Sequence, residues 1–261
     1  MCTVVILRRP GHPWPLLLAA NRDEMTSRPW LPPARHWPDR PQIVAGKDEL
    51  AGGSWLGLND AGVVAGVLNR VGSLGPESGK RSRGELVLEA LDHLSASAAA
   101  TRISLLDPEA FRSFNMVVAD RKDAYWLRYL GPERAVDAAA PRIEIFELQP
   151  GLSMITAHDR NDPASPRIRL NLARFEAAVA PDPRSGQWRS WQKILGSTQV
   201  PPGEGPEAAM TIVTDRGFGT VAGSLIGLPG LPQSLRGRPP SPVWLFAGGR
   251  PDKVPYTPVK I

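Results

Sequence analysis

The sequence predicts an α+β fold in which antiparallel sheets are covered by helices, and three observations lead to this prediction. Short apolar or β-branched runs bounded by turn residues recur along the chain, as is typical of strands. Many of these runs follow one another across short polar turns, which favours hairpins over crossover connections. Segments with helical periodicity come in two groups between blocks of strands, an order typical of α+β layering. The simplest such arrangement is a pair of stacked antiparallel sheets with helices on them.

The individual elements follow in chain order from the same patterns. Residues 28–41 hold five prolines, too many missing amide donors for a central strand, and are predicted to form a long loop. Residues 71–82, rich in glycine, serine and charge, are predicted to form a mobile loop. The four strands expected between residues 114 and 156 are predicted to form one antiparallel meander. We expect strands at residues 2–7, 16–20, 52–59, 63–70, 114–120, 125–130, 143–148, 152–156, 211–213, 220–228 and 243–247, and helices at residues 83–94, from residue 95 onward, at 165–180 and at 188–195.

Length and composition set the broad class of the protein. With 261 residues, of which 42% are hydrophobic, the chain can bury a full core, and we expect one domain over residues 1–261. The net charge of +5 comes from arginines scattered among acids without a nucleic-acid motif, so no nucleic-acid partner is expected. No apolar run is long enough to span a bilayer, and the opening lacks the pattern of a signal peptide. These features predict a cytoplasmic protein without membrane insertion.

The chain lacks the motifs of the common cofactor and metal sites. P-loop, G-x-G-x-x-G and H-E-x-x-H patterns are absent, so no cofactor and no metal are expected. The single cysteine, Cys2, rules out an intrachain disulfide and a cysteine-based zinc site. His158, Asp159 and Asp162 could together form a metal or acid/base cluster, but a turn whose side chains bond the backbone is the favoured interpretation.

Cys2 is the candidate nucleophile because of its position in the chain. If Met1 is removed, Cys2 carries a free α-amine with a pKa of about 7.7–8.0 beside a thiol with a pKa of about 8.5. One residue can then supply both the base and the nucleophile. A hairpin of the first two predicted strands would bring residues 21–24, Asn-Arg-Asp-Glu, beside Cys2. Chemistry is therefore expected at this end of the hairpin.

Such chemistry also needs a positive group to favour the thiolate, an anion to orient the ammonium and a donor for the oxyanion. The residues of suitable type are Arg22, Asp23 and either Asn21 or Asn69. Two structural interpretations also stay open on the residues alone. In one, Cys2 is a small packed hydrophobe without a chemical role. In the other, the polar segment 21–24 is a strand end whose arginine pairs with an acid at the surface.

Several blocks of the sequence match a known family in order and spacing. Residues 1–4, Met-Cys-Thr-Val, and residues 18–24, Leu-Ala-Ala-Asn-Arg-Asp-Glu, resemble the opening of the NRDE family, which is also called the transport and Golgi organisation 2 family. The further blocks are Gly-Gly-Ser-Trp-Leu-Gly at 52–57, Arg-Gly-Glu-Leu-Val at 83–87 and Phe-Asn-Met-Val-Val-Ala-Asp at 114–120. The resemblance covers roughly the first half of the chain.

The NRDE family is in turn similar to the cysteine branch of the N-terminal nucleophile hydrolases, which contains bile-salt and penicillin amidases. This second resemblance implies a four-layer αββα sandwich of two antiparallel sheets. It also implies that Arg22 and Asp23 flank the nucleophile, although the branch has two residues between these two residue types and here they are adjacent. Asn69 ends a segment that resembles the Gly-Leu-Asn segment of the branch and is thereby implied as an oxyanion donor.

Two positions depart from the pattern of these families. Residues 153–159 lack an asparagine that the branch carries after a strand, leaving Thr156 or His158 as a polar substitute. Val221 stands where the family usually carries an arginine. These departures indicate either a changed substrate or a loss of catalysis.

The resemblance therefore implies two candidate functions from different classes. The first is a hydrolase or acyltransferase that acts through Cys2 on a small-molecule amide or thioester that is not a peptide. The second is a non-catalytic carrier of haem or another apolar ligand, because eukaryotic members of the family are linked to secretory-pathway organisation, lipid handling and haem trafficking. A homo-oligomer is compatible with either function.

Overall fold

The computed structural model describes residues 2–132, 141–230 and 240–261, which divide into two units with one antiparallel sheet each. The six-strand unit comprises residues 2–27, 149–155 and 160–261, and the seven-strand unit comprises residues 28–148 and 156–159. Both units draw on stretches of chain that are distant in sequence. The expectation of one domain over residues 1–261 stays a prediction.

The described residues contain thirteen strands and four α-helices. The strands are β1 (Thr3–Arg8), β2 (Leu16–Met25), β3 (Trp30–Ala34), β4 (Ile43–Asp48), β5 (Leu56–Asn59), β6 (Val64–Asn69), β7 (Phe114–Ala119), β8 (Ala124–Tyr129), β9 (Glu144–Glu147), β10 (Gly151–Ile155), β11 (Phe218–Leu228), β12 (Val243–Ala247) and β13 (Thr257–Pro258). The helices are α1 (Gly84–Leu91), α2 (Ala96–Ser104), α3 (Pro166–Ala177) and α4 (Arg189–Leu195). No helix among the described residues has the length and hydropathy needed to cross a bilayer.

The six-strand unit is built on the hairpin of β1 and β2. Its sheet has the order β10-β1-β2-β11-β12-β13, and every neighbouring pair is antiparallel. Side chains of β2 alternate between the two faces, and Leu17 and Ala19 point to the face that α3 and α4 cover. There they pack with Trp191 of α4 and Phe175 of α3 in one buried cluster. This cluster fixes which β2 side chains face the helices.

The seven-strand unit carries α1 and α2 on its sheet. The strands follow one another in sequence order from β3 to β9, as in a continuous meander. Leu86 and Leu91 of α1 and Ile103 of α2 are buried with Ala65 and Met116 of the sheet. Ser95 caps α2 by accepting a hydrogen bond from the amide of Ala98, as expected for an N-cap serine. The buried residues shared by α1, α2 and the sheet form the core of this unit.

Most of the predicted elements are confirmed, including all four helices and the hairpin of β5 and β6. The meander prediction is wrong at its last strand, because β10 pairs with β1 in the other sheet. The stretch 28–41 is not wholly a loop, since β3 forms at the sheet edge, where prolines are tolerated. Residues 211–213 form only a bridge between Val213 and Gly219, and β4 and β13 were not predicted from the sequence.

Residues 71–82 lack helix and strand, as predicted, but two arginines hold the loop to its surroundings. Nη1 of Arg83 donates to the carbonyl of Ser73 at 2.7 Å and to that of Ser113 at 3.1 Å. Nη1 of Arg112 donates to the carbonyl of Leu74 at 2.9 Å. The predicted mobility of this loop stays a prediction.

Two glycines from separate family-like blocks allow a close backbone approach in the seven-strand unit. A Cβ atom on Gly53 would lie 2.5 Å from the main-chain carbon of Gly84. The amide of Ser54 donates to the carbonyl of Gly84 at 3.1 Å, which holds the two segments together. The start of α1 therefore packs directly on the backbone that leads into β5.

We expect Gly53→Ala to lower the free energy of unfolding by about 1–3 kcal/mol, because the added methyl group overlaps backbone atoms of Gly84 that cannot rotate away. The measurement is chemical denaturation. Gly230→Ala is the matched control, since a Cβ there meets no atom closer than 3.4 Å. Equal stability of the two variants would contradict this account of the contact.

Candidate functional site

The β1–β2 hairpin brings Cys2 beside the Asn-Arg-Asp-Glu segment, as the sequence predicts. Thr3 lies directly opposite Asn21 in the ladder. Cys2 immediately precedes β1 and is half-buried, and its Sγ lies 3.9 Å from the main-chain oxygen of Asp23. This distance suits a weak hydrogen bond in which the thiol donates. The lone cysteine of the chain is thus in contact with the second strand.

Strand alternation separates the side chains of this segment onto opposite faces of the sheet. Asn21 and Asp23 point to the face that carries α3 and α4, where their partners lie. Arg22, between them, points to the other face, and Cys2 shares that face because Thr3 pairs with Asn21. Arg22 is 5% exposed, so its guanidinium is buried on the same side of the sheet as the thiol.

The Asn21 side chain binds backbone rather than the space around Cys2. Its Nδ2 donates to the carbonyl of Leu195 at 3.0 Å and to that of Met210 at 2.8 Å. Both amide hydrogens are therefore used to attach β2 to the last residue of α4 and to the segment that precedes β11. Of the two asparagines considered as oxyanion donors, Asn21 is occupied by this structural role.

The carboxylate of Asp23 lies in a buried polar cluster. Its Oδ1 accepts a hydrogen bond from Thr220 Oγ1 at 2.6 Å, and its Oδ2 accepts one from Arg167 Nη1 at 2.7 Å. The side chains of Arg167 and Asp23 are 2% and 0% exposed. The same Nη1 also donates to Thr3 Oγ1 at 2.5 Å. The cluster joins β1, β2, β11 and α3 around one carboxylate.

Sequence reasoning missed Arg167 and Thr220 as partners of Asp23. A signal for Arg167 was present, because Arg167 and Asn171 are four residues apart and so share one face of α3. Both are buried, which is unusual for an arginine unless it is paired. Polar residues at helical spacing beside Ile168 and Phe175 could have indicated a buried polar contact.

The electrostatic surroundings of Cys2 act in opposite directions on its thiol. Burial raises the pKa of the Cys2 thiol above its ordinary value and outweighs the lowering by the ammonium at the chain terminus. The Asp23 carboxylate raises this pKa further, whereas the Asp23 carbonyl and the Arg22 guanidinium lower it. With Met1 in place, the thiol is thus protonated at neutral pH, and a base must remove its proton before it can act as a nucleophile.

Asn69 lies in the seven-strand unit as the last residue of β6, opposite Phe114. Strand alternation places it on the same face as Val67, which packs against the helix-side core. The residue is half-buried, and its side-chain amide makes no hydrogen bond to any residue that the structure describes. Asn69 is therefore a candidate donor on availability alone.

Asn115 is a structural anchor of the seven-strand unit. Its Nδ2 donates to the carbonyls of Thr156 and His158 at 2.9 and 2.7 Å. Its Oδ1 accepts from Arg70 at 2.6 Å and from the indole of Trp126 at 3.1 Å. All the hydrogen-bonding groups of this amide are engaged, which leaves it no donor for a ligand.

The polar residues after Thr156 form contacts within the protein. Asp159 forms ion pairs with Arg70, at 2.8 Å, and with Arg128. Asp162 Oδ1 accepts a hydrogen bond from the amide of Ala164, as in a polar turn. Within the described ranges, no group of three or more histidine, cysteine or acidic side chains could hold a metal ion.

Val221, where the family usually has an arginine, lies at an irregularity of β11. Thr220 pairs with Asp23 and Ala222 pairs with Arg22, so Val221 is the extra residue between them. Such bulges often stand next to active sites, where they redirect a side chain. The departure from the family pattern thus falls beside the polar segment of β2.

Comparison with known proteins relates this chain to one sequence family. A family model described as Transport and Golgi organisation 2 matches residues 1–203. The Transport and Golgi organization protein 2 homolog of Homo sapiens is 34% identical over 114 residues, 42% of this chain and 40% of that protein. The mouse homolog is 33% identical over 108 residues, 40% of this chain and 38% of that protein. The chain thus matches about 40% of the length of these curated relatives.

Solved structures of two hydrolases are similar to this chain in fold. An ortholog of N-acylethanolamine-hydrolyzing acid amidase from Caenorhabditis elegans superposes with a TM-score of 0.54 at 14% identity, over 92% of this chain and 98% of that one. A mutant conjugated bile acid hydrolase from Clostridium perfringens gives 0.51 at 10% identity, over 100% and 97%. This likeness concerns the fold alone. It confirms the prediction of an α+β fold with two antiparallel sheets that is similar to the N-terminal nucleophile hydrolases.

We expect alkylation of Cys2 in protein that retains Met1 to follow a pH profile whose midpoint lies above that of an ordinary thiol, because burial disfavours the thiolate. Arg22→Gln should move the midpoint higher still, since it removes a positive charge that lowers the pKa. Iodoacetamide labelling followed by mass spectrometry gives the profile. The exposed Arg216→Gln is the control and should leave it unchanged. A midpoint at or below the ordinary value would refute this view of the site.

Proposed function

We propose that this chain, which belongs to the Transport and Golgi organisation 2 family, is a cysteine hydrolase or acyltransferase. It acts through Cys2 on a non-peptide amide or thioester. The observation that carries the proposal is the position of the thiol. Cys2 stands at the start of β1, in contact with the Asp23 carbonyl and on the same sheet face as the buried Arg22. A fold similar to known hydrolases adds support.

In the proposed reaction, removal of Met1 exposes the α-amine of Cys2. The amine takes the proton of the thiol, and the thiolate attacks the carbonyl carbon of the substrate. The resulting ammonium then gives its proton to the leaving group, and an acyl-enzyme remains. Water or another acceptor then attacks the thioester and gives its proton to the amine. The C–S bond breaks, the acyl group leaves as a carboxylic acid or on the acceptor, and the amine returns the proton to the sulfur. The pKa of the thiol is raised while Met1 is present, so the thiol needs a base to remove its proton. The α-amine of Cys2 can be that base once Met1 is removed.

The side chains around Cys2 have separate tasks in this proposal. The guanidinium of Arg22 favours the thiolate, as its lowering effect on the pKa of Cys2 supports. The Asp23 carboxylate, which is ion-paired with Arg167, is the proposed acceptor that holds the ammonium form in place. Asn69, together with a backbone amide, is the proposed oxyanion donor, on the ground of its segment's resemblance to the Gly-Leu-Asn segment of the cysteine branch.

The proposed substrate class rests on chemistry and on the names of the similar structures. One of these proteins is named for hydrolysis of an N-acylethanolamine and the other for that of a conjugated bile acid. A thiolate nucleophile suits carbonyl groups with a nitrogen or sulfur leaving group. We therefore propose a small acyl amide or acyl thioester as the substrate.

Intact-mass analysis before and after treatment with an acylating thiol probe tests the proposed function. We expect the purified protein to lack Met1 and to gain one acyl group, which Cys2→Ser abolishes. A second variant, with a glycine inserted between Met1 and Cys2, keeps the thiol but leaves Cys2 without a free α-amine. This variant should be labelled much more slowly.

Retained Met1 together with no labelling of Cys2 would refute the proposed enzyme. Stoichiometric binding of haem or another apolar ligand under those conditions, without thiol reactivity, would instead support the carrier that the family resemblance also implies. Haem binding is measured by absorbance, so both outcomes come from one preparation of protein.

We expect Asn69→Ala to lower kcat by about 10²–10³-fold, the usual effect of removing one oxyanion donor. Its melting temperature should stay close to that of the unaltered protein, because the Asn69 amide makes no hydrogen bond to the described residues. Turnover of an acyl probe and a thermal melt are the two measurements. An unchanged rate would remove Asn69 from the mechanism.

A further inference from the structure

Arg167 is buried on α3 and binds Thr3, which follows Cys2 in the chain, and Asp23, whose carbonyl the Cys2 thiol contacts. Its Nη1 donates to Oγ1 of Thr3, the residue after Cys2, and to Oδ2 of Asp23. Its Nε donates to the carbonyl of Glu207 at 3.1 Å, which fixes the other edge of the guanidinium. A buried guanidinium is costly unless it is well paired, so these contacts indicate a fixed position.

Both partners of Arg167 bear directly on the thiol. Thr3 determines where the first residue of the hairpin lies, because it is the first residue of β1 in the ladder. The main-chain oxygen of Asp23 lies 3.9 Å from Cys2 Sγ. One guanidinium therefore ties together the ends of β1 and β2 that hold the cysteine.

Arg167 also balances a negative charge near the thiol. Ion pairing at 2.7 Å with no solvent between the groups offsets the charge of the Asp23 carboxylate. Among the residues that the structure describes, the charged side chains that act on the Cys2 thiol are Arg22 and Asp23, and Arg167 of α3 is paired to Asp23. Thr220, from β11, contributes a neutral hydroxyl to the same carboxylate.

We propose that Arg167 is a positioning residue for Cys2: it holds together the strand ends next to the thiol and offsets the charge of the Asp23 carboxylate. It does so from the face of the sheet opposite to the thiol and acts through Thr3 and Asp23. This inference rests on the proposed function, since the position of a nucleophile matters only if Cys2 is one.

The test is the pH profile of Cys2 alkylation by iodoacetamide, which requires no acyl substrate. In Arg167→Gln, the unbalanced Asp23 charge should raise the midpoint by about one pH unit, so that alkylation below the midpoint is about tenfold slower. Arg167→Lys keeps the charge but lacks the fork that reaches several acceptors, and it should be intermediate, about threefold slower. Thermal melts establish that each variant is folded.

The control is Arg169→Gln, which makes the same charge change two residues further along α3. Arg169 pairs with Glu204 at 2.8 Å, and its side chain is 47% exposed, so solvent screens the charge. Its alkylation profile should match that of the unaltered protein. A purely structural role of Arg167 would lower the melting temperature of the variants without moving the midpoint.

A folded Arg167→Gln variant with an unchanged midpoint would overturn the inference. If that variant does not fold, Arg167→Lys decides: a higher midpoint supports the inference, and an unchanged profile overturns it. The two proposals fail separately. Absence of acyl labelling with a shifted Arg167→Gln profile would refute the enzyme alone, whereas normal labelling with no shift would refute the positioning role alone.

Discussion

The antiparallel register of β1 against β2 decides which side chains surround Cys2. Thr3 lies opposite Asn21, so Arg22 shares a face with the thiol, while Asn21 and Asp23 point towards α3 and α4. A slip by one residue would exchange these faces. The apolar part of the hairpin resists such a slip, because Leu17 and Ala19 are buried in the helix-side cluster. The same hydrophobic pattern that forms the core of the six-strand unit thus also places the charged groups of the candidate site.

Buried polar groups then restrict the strand ends to one arrangement. An unpaired carboxylate or guanidinium in the interior would cost far more than any single contact contributes, so Asp23 and Arg167 are stable only together. Thr3 and Thr220 complete this cluster from β1 and β11. Asn21 makes a second attachment, to the carbonyls of Leu195 and Met210. The Asn-Arg-Asp part of the family segment therefore combines anchoring with the chemistry proposed for Cys2.

In the seven-strand unit, the family-like blocks serve largely to pack backbone on backbone. Gly53 and Gly84 come from two different blocks and meet without room for a Cβ atom between them. Asn115, from a third block, uses both ends of its amide to hold neighbouring segments. These contacts explain why the blocks require particular residue types even where no chemistry is proposed. Motifs that identify a family can therefore mark the architecture rather than the reaction.

The sequence by itself determined the α+β class, the four helices and the hairpin that brings Cys2 to residues 21–24, because these depend on local periodicity and turn residues. It also contained the family resemblance. Only the tertiary structure decided that β10 joins β1, that β3 closes a sheet edge despite its prolines, and that Arg167 and Thr220 bind Asp23. Apart from the pairing of β3 with β4, these contacts join residues more than a hundred positions apart. No local pattern specifies which partner a strand or a buried charge will meet.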